Sequence, residues 1–108
     1  MKSTDISSGV HLTTVLDTAI QFLQTVRETD WTARLKEYRA TLQSDPVAGA
    51  ERILAAFDGA GSIERLYLSG PRNGHNLSER QEIEANGKLH VILEEMRNAA
   101  REVAQAHA

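Results

Sequence analysis

The sequence predicts an all-α fold, a compact bundle of four main helices with a glycine-rich corner and a short irregular segment. Apolar residues recur at spacings of three and four over most of the chain, as on the buried face of an amphipathic helix. Helix-start patterns precede three of these segments. Helical patterning stops abruptly at Asp58-Gly59-Ala60-Gly61-Ser62, so we expect the N-terminal and C-terminal helices to meet at this corner.

Length and composition indicate one domain with its own core. A chain of 108 residues buries roughly two-thirds of the surface that it exposes when unfolded. The sequence has no cysteine, which excludes disulfides and thiolate chemistry. The 12 basic and 15 acidic residues are interspersed and give a net charge of −3 without a basic block. We therefore expect no nucleic acid as the main partner.

The N-terminal segment predicts a cytoplasmic protein. Residues 1–9 contain no apolar segment of the kind found in secretory signals, and no apolar run is long enough to cross a membrane. We expect 1–9 to be a flexible lead-in and 10–108 to form a single helical domain, with no membrane partner.

Apolar spacing predicts the first two helices. A stripe at i, i+3, i+4 and i+7 predicts a helix from about Leu12 to Glu28, with Phe22 off the stripe. Asp30 is placed to accept hydrogen bonds from unpaired first-turn amides, which predicts the start of a second helix. Trp31 belongs to the apolar stripe of that helix, so we expect its indole in the core.

A third helix is predicted between Asp45-Pro46 and Asp58-Gly59. A capping carboxylate followed by proline is typical of a helix start, because the missing proline N–H would be unpaired there in any case. Glycine closes helices in the left-handed conformation. For residues 63–69 the spacing leaves helix and extended backbone open: Ser62 is able to cap a short turn, and Leu66 to Leu68 also suit an extended segment.

Turn-forming residues occupy 69–76 and predict an exposed loop. Ser78 and Gln81 then have the spacing of a capping box, which predicts a helix start.

The last helical segment contains two phases of apolar residues. At 100° per residue, Ile83 lies about 120° from the centre of the terminal apolar stripe, and Asn86-Gly87 lies between the two phases. We therefore expect a break or kink at Asn86-Gly87, between a short helix near 78–85 and a long helix near 88–106.

No arrangement of reactive side chains predicts catalysis, a bound cofactor or a metal site. The turn before Ser62 is able to present amides to an anion, but it lacks the lysine and spacing of a phosphate loop. Carboxylates between Glu79 and Glu95 are interspersed with basic residues, as on solvated helix faces. The histidines have no i, i+4 pair of the kind that would suit zinc: His11, His75, His90 and His107.

The corner resembles a family of small, uncharacterised bacterial α-helical domains with a central Gly-Met-Gly-Ser followed by Asn-Asp-Leu. Such domains look like members of the immunity-protein repertoire that accompanies polymorphic or contact-dependent toxins. The overlap covers residues 31–104. In this chain Asp58 replaces a glycine, Ala60 replaces the methionine, and Glu64-Arg65 replaces the Asn-Asp pair. The matching residues are Phe57, Gly59, Gly61, Ser62, Ile63 and Leu66, preceded by Arg52-Ile53-Leu54 and followed by Asn86-Gly87-Lys88-Leu89.

The resemblance implies a protein that neutralises a cognate bacterial toxin by occluding its active site, and carries no catalytic residue with it. Acidic side chains would speed association with a basic toxin. Arg72 and His75 are the expected central anchors, because lysine and glutamate are depleted at interface cores. The candidate contacts are the exposed polar groups around the corner and loop: Asp58, Glu64, Arg72, His75, Glu79 and Glu82.

Three alternatives stay open. The first is an adaptor or chaperone that binds a segment of a secreted effector between amphipathic helices. The second is an RNase, because Arg101 and His107 resemble the Arg…His pair of helical RNases of the HEPN type, although His107 lies where a chain end frays. The third is a homodimer or larger homo-oligomer, since Phe22 and Tyr67 lie outside the apolar stripes and suggest an exposed patch.

Overall fold

The computed structural model is a bundle of four α-helices, and it describes residues 2–59, 61–68 and 77–106, with side chains from Gly9 onward. The helices are α1 (Lys2–Thr25), α2 (Thr29–Ser44), α3 (Pro46–Ala55) and α4 (Glu79–Ala106), with a 3₁₀ turn at Ile63–Arg65. The described residues contain no strand, so the all-α prediction is confirmed. None of the helices found in these ranges is long and apolar enough to cross a membrane.

The four helices form a ring in which each one packs mainly against its two neighbours in sequence, with α1 and α4 closing the ring. A helix rises about 1.5 Å per residue, so the 28 residues of α4 span about 42 Å. The longest dimension of the molecule is 47 Å. The bundle is therefore about as long as α4, which runs along the full length of the molecule.

The core is built from the predicted stripes. Trp31 is 9% exposed, which confirms its place in the core, and Arg34 stacks over its ring at 4.6 Å from the centroid. Phe22 is half-buried against the core, and the ammonium of Lys88 on α4 lies 5.6 Å from its ring centroid. The large side chains that are completely or almost completely buried are Leu12, Leu16, Leu23, Leu35, Ile53, Ile63, Leu68, Met96 and Val103.

The junction between α1 and α2 differs from the prediction at both ends. α1 begins at Lys2, ten residues before the expected start; the flexibility expected of residues 1–9 stays a prediction. α1 closes with Arg27 in the left-handed conformation, at φ 62°. The carboxylate of Glu28, not that of Asp30, caps α2 by accepting from the Trp31 amide at 2.9 Å. α2 therefore starts two residues earlier than expected, and Asp30 lies within its first turn.

Two other predicted helix starts are confirmed. Asp45 Oδ1 accepts a hydrogen bond from the Ala48 amide at 3.1 Å, and proline occupies the first position of α3. Ser78 and Gln81 form the expected reciprocal pair. Ser78 Oγ accepts from the Gln81 amide at 3.3 Å, and Gln81 Oε1 accepts from the Ser78 amide at 2.9 Å. In both cases a side chain satisfies amides that have no partner within the helix.

The predicted break at Asn86-Gly87 is wrong, because α4 continues through both residues. The break was predicted because Ile83 lies out of phase with the terminal stripe, but Ile83 is not part of the core, since its side chain is 69% exposed. The buried stripe instead continues at a spacing of three and four from Ala85 through Leu89 and Ile92. No change of phase is therefore needed, and one straight apolar stripe faces the rest of the bundle.

Among the described glycines, Gly49 is the one packed tightly against a neighbouring helix, where α3 meets α2. A Cβ atom added at Gly49 would lie 2.5 Å from Leu42 Cα and 2.7 Å from its backbone nitrogen. These are backbone atoms of a neighbouring helix, so they cannot move aside as the end of a flexible side chain can. The pairing of α2 with α3 therefore requires glycine at this position.

Replacing Gly49 with alanine is expected to destabilise the protein. Alanine favours helix by up to about 1 kcal/mol, but the overlap with Leu42 forces α2 and α3 apart, and overpacking of this kind costs about 1–3 kcal/mol. We expect a net loss of about 1–2 kcal/mol in the free energy of unfolding. The measurement is urea unfolding followed by circular dichroism.

The matched control is Gly9→Ala, also in a helix, because a Cβ atom at Gly9 meets nothing within 4 Å. That variant should be as stable as the parent or more stable, by up to about 1 kcal/mol. Equal stability changes in the two variants would contradict the proposed close approach.

Candidate functional site

The corner is a turn in which the amides of Ser62, Ile63 and Glu64 are hydrogen-bonded within the chain. α3 ends at Ala55, three residues before the expected end, and Gly59 then adopts the left-handed conformation at φ 79°. The Ile63 amide donates to the Ala56 carbonyl at 2.8 Å, and Ser62 Oγ accepts from the Glu64 amide at 3.0 Å. Since these amides already have partners, the corner does not present them to an anion.

Both alternatives left open for residues 63–68 occur, one after the other. Ser62 caps the 3₁₀ turn Ile63–Arg65, and the backbone then becomes extended at Leu66, with φ −63° and ψ 127°. The turn buries Ile63 completely. Residue 69 and the predicted loop at 69–76 lie outside the described residues.

One side chain of α4 holds the extended segment in place. Asn86 Oδ1 accepts from the Leu68 amide, and Asn86 Nδ2 donates to the Leu68 carbonyl and to the Glu82 carbonyl, each at 2.8 Å. The Leu68 side chain is completely buried. Because a buried backbone N–H or C=O must find a partner, Asn86 supplies both partners that a neighbouring strand would supply in a sheet.

A groove of about 370 Å³ lies between this corner and α4. Phe57 and Leu93 are its apolar side chains, and the rest of the lining is charged or polar. Phe57 is half-buried against the core. The lining residues are Phe57, Glu64, His90, Leu93, Glu94, Arg97, Asn98 and Arg101.

Arg97 joins the two walls of this groove. Its Nη1 donates to Glu64 Oε1 at 3.1 Å, and its guanidinium lies 5.6 Å from the Phe57 ring centroid. The two charged side chains are 40% and 49% exposed, so the ion pair contributes at most about 1 kcal/mol to stability. Its effect is to fix the position of a guanidinium over an aromatic ring at the mouth of the groove.

Arg101 and Glu94 also line the groove, and neither has a hydrogen bond or ion pair with any other described residue. Both side chains are exposed, as is His90. The His90 side chain lies on the groove side of α4. The groove therefore offers an unpaired cation and an unpaired carboxylate beside an apolar floor.

Of the four predicted contact residues that the structure describes, Glu64 is the one that lines the groove. Asp58 is exposed in the turn that precedes it, and Glu79 is exposed at the start of α4. Arg72 and His75, the expected anchors, lie outside the described residues, as does His107 of the RNase alternative. Sequence analysis missed Arg97 as a contact residue because its partner Glu64 is 33 residues away.

Glu82, the remaining candidate, contacts Tyr67 instead of lining the groove. A hydrogen bond to Glu82 raises the pKa of Tyr67, and burial and the negative charge of Glu82 act in the same direction. The proton is therefore held more tightly in the folded protein, so this contact stabilises the fold at neutral pH and loses that effect only as Tyr67 ionises above pH 10.

A second groove, of about 520 Å³, lies at the α1–α2 junction. It is wider and more open than the first, and it adjoins the left-handed Arg27. Its lining residues are Gln24, Arg27, Glu28, Thr29, Thr32, Ala33 and Lys36. Among the described residues, no group of three or more acidic or histidine side chains is placed to hold a metal ion in either groove.

Comparison with known proteins adds no relative. No family model, curated protein or solved structure matches this chain.

Replacing Asn86 with aspartate should release the extended segment. A carboxylate still accepts a hydrogen bond from the Leu68 amide. It cannot donate to the Leu68 and Glu82 carbonyls, so a negatively charged oxygen would be repelled by both carbonyl oxygens. We expect a loss of about 1–3 kcal/mol in the free energy of unfolding at neutral pH. Asn98→Asp, on the exposed side of the same helix, is the control and should change stability by less than about 0.5 kcal/mol. A similar small effect at Asn86 would show that its hydrogen bonds do not hold the segment.

Gly59 and Gly61 should respond differently to valine. Gly59 has the left-handed conformation, which costs an L-residue about 1–2 kcal/mol and a β-branched one more. Gly61 has no such φ and no atom within 4 Å of an added Cβ. We expect Gly59→Val to lower the midpoint of urea unfolding clearly and Gly61→Val to leave it nearly unchanged. Equal losses would mean that both glycines, not Gly59 alone, are required by the turn.

Proposed function

We propose that this chain is an immunity-type binding protein, which neutralises a cognate bacterial toxin by protein–protein contact. Two observations support the proposal. The corner resembles the Gly-x-Gly-Ser domains associated with toxin immunity, and the groove beside this corner presents the exposed Arg101 together with the apolar side chains of Phe57 and Leu93. The groove is the observation that carries the proposal, since it gives the resemblance a binding surface.

The chemistry of the groove suits a protein partner. Arginine and aromatic residues are enriched among the side chains that carry binding energy at interfaces. The unpaired guanidinium of Arg101 offers several donors in a fixed plane, which match a carboxylate of the partner. Phe57 and Leu93 supply the apolar area of the groove. An aliphatic or aromatic side chain of the toxin would pack against these two residues.

Neutralisation would work by occlusion, with no chemical step. The net charge of −3 and the exposed carboxylates Glu94, Asp58 and Glu79 would attract a basic toxin and raise the association rate. The bundle presents the groove on a helix and on a turn fixed by Asn86, so little conformational freedom is lost on binding.

An effector adaptor is the second candidate, and the groove at the α1–α2 junction favours it. That groove lies between two amphipathic helices, where an extended or helical segment of an effector would fit. The two candidates differ in what they bind: an immunity protein requires the folded toxic domain, whereas an adaptor binds an isolated segment.

The test uses any candidate toxin that is encoded next to the gene for this chain. Cells that express the toxin should grow when this chain is co-expressed, and the purified proteins should bind each other in titration calorimetry. Arg101→Glu should weaken binding by at least about tenfold, as expected for an arginine that contributes at least 1–2 kcal/mol to an interface.

Arg52→Glu is the matched control, because Arg52 is an exposed arginine on α3 that does not line the groove. We expect this variant to bind within about threefold of the parent. Loss of binding in both variants, or in neither, would remove the groove from the proposal. Absence of binding and protection with every neighbouring toxin would remove the function itself.

A further inference from the structure

α4 has an exposed side centred on Gly87, and His90 and Glu94 on this side also line the groove. The helix positions within about 60° of Gly87 are all exposed among the described residues. Two of them are large and apolar: Ile83 is 69% exposed and Val91 is 55% exposed. A Cβ atom at Gly87 would meet nothing within 4 Å, so the middle of this face is open for another backbone to approach closely.

This face is symmetric in its chemistry about Gly87. Ile83 and Val91 lie four residues before and after Gly87, about 6 Å away along the helix axis. Arg80 and Glu94 lie seven residues before and after it, at about 10 Å. Apolar residues are therefore at matched distances from the centre, and opposite charges are at matched distances farther out.

Such a pattern fits a second copy of the same helix running in the opposite direction. A two-fold axis at Gly87 would place each residue beside the residue at the matched distance on the other copy. Ile83 would contact Val91 of the second copy, and Arg80 would meet Glu94 of the second copy. Each contact occurs twice, and the absence of a side chain at Gly87 lets the two helices approach at the centre.

The inner charged positions follow the same rule. Glu84 lies three residues before Gly87 and His90 three residues after it, so the carboxylate of one copy would face the imidazole of the other. Within one copy Arg80 already pairs with Glu84, at 3.5 Å between Nε and Oε1. Both side chains of that pair are highly exposed, so it holds Arg80 only weakly and leaves it available to Glu94 of a second copy.

We propose that two copies of this chain form a homodimer through antiparallel pairing of α4, with the two-fold axis at Gly87. The proposal does not depend on toxin neutralisation. Charge complementarity identifies the occupant as a second copy, because the opposite charges of Arg80 and Glu94 lie at matched distances from Gly87 and suit an identical helix in the reverse direction.

Charge reversal tests the pairing directly. The full chain should show a monomer–dimer equilibrium in analytical ultracentrifugation over roughly three decades of concentration. Arg80→Glu and Glu94→Arg should each weaken dimerisation by at least about tenfold, because like charges then face each other twice. The double variant Arg80→Glu/Glu94→Arg restores opposite charges and should dimerise within about threefold of the parent.

Two apolar variants provide the matched comparison. Ile83→Asp should weaken the dimer by at least about tenfold. Val10→Asp replaces a side chain on α1 that is 61% exposed and should leave the dimer unchanged. Circular dichroism should show native helix content in every variant. A chain that is monomeric throughout, a dimer unaffected by Ile83→Asp, or a double variant that fails to dimerise would each overturn the proposal.

Discussion

The geometry of this bundle depends on one buried residue, Leu68, whose backbone N–H and C=O are paired by a side chain and not by a helix or a sheet. Leu68 is completely buried in an extended segment between α3 and α4, so its backbone N–H and C=O enter the protein with its side chain. Leaving either group unpaired would cost about 1–3 kcal/mol. Asparagine is a short side chain that carries a donor and an acceptor together, and Asn86 uses both for this one residue. The segment is thereby fixed to α4, and the preceding turn places Glu64 beside Arg97.

The features that the sequence predicted well are those in which the interacting groups are close in sequence. Asp45 and Ala48, like Ser78 and Gln81, are three residues apart, so a side chain and the amide that it caps are contained in one local pattern. The apolar stripes succeed for a related reason, because the helix period alone brings their members to one face. The all-α bundle follows from these local patterns without knowledge of how the helices pack.

The predictions failed where a contact with a distant part of the chain determines the role of a residue. Asn86-Gly87 has the composition of a helix break, but Asn86 is retained within α4 because its side chain binds Leu68, which the sequence places 18 residues earlier. Ile83 was interpreted as part of a second apolar phase, although isolated apolar side chains are common on surfaces. Gly49 was not singled out at all, since its importance lies in the approach of Leu42 from another helix. The groove was not predicted for the same reason. Its charged residues on α4 have the sequence pattern of a solvent-exposed helix face, and the pattern does not show that the corner packs beside them.

α4 therefore combines three surfaces, and their overlap links the two proposals. Its buried stripe holds the bundle, its corner-facing side forms the groove, and its outer side forms the self-complementary face. Glu94 and His90 belong to both the groove and the outer face, so a toxin seated in the groove and a second copy on the outer face would compete for the same side chains. Equilibrium linkage makes such competition reciprocal. Dimerisation would weaken binding of the partner in the groove, and binding of the partner would weaken dimerisation by the same factor. Arg101 belongs to the groove and lies beyond the contacts around Gly87, which is why charge reversal there separates partner binding from self-association.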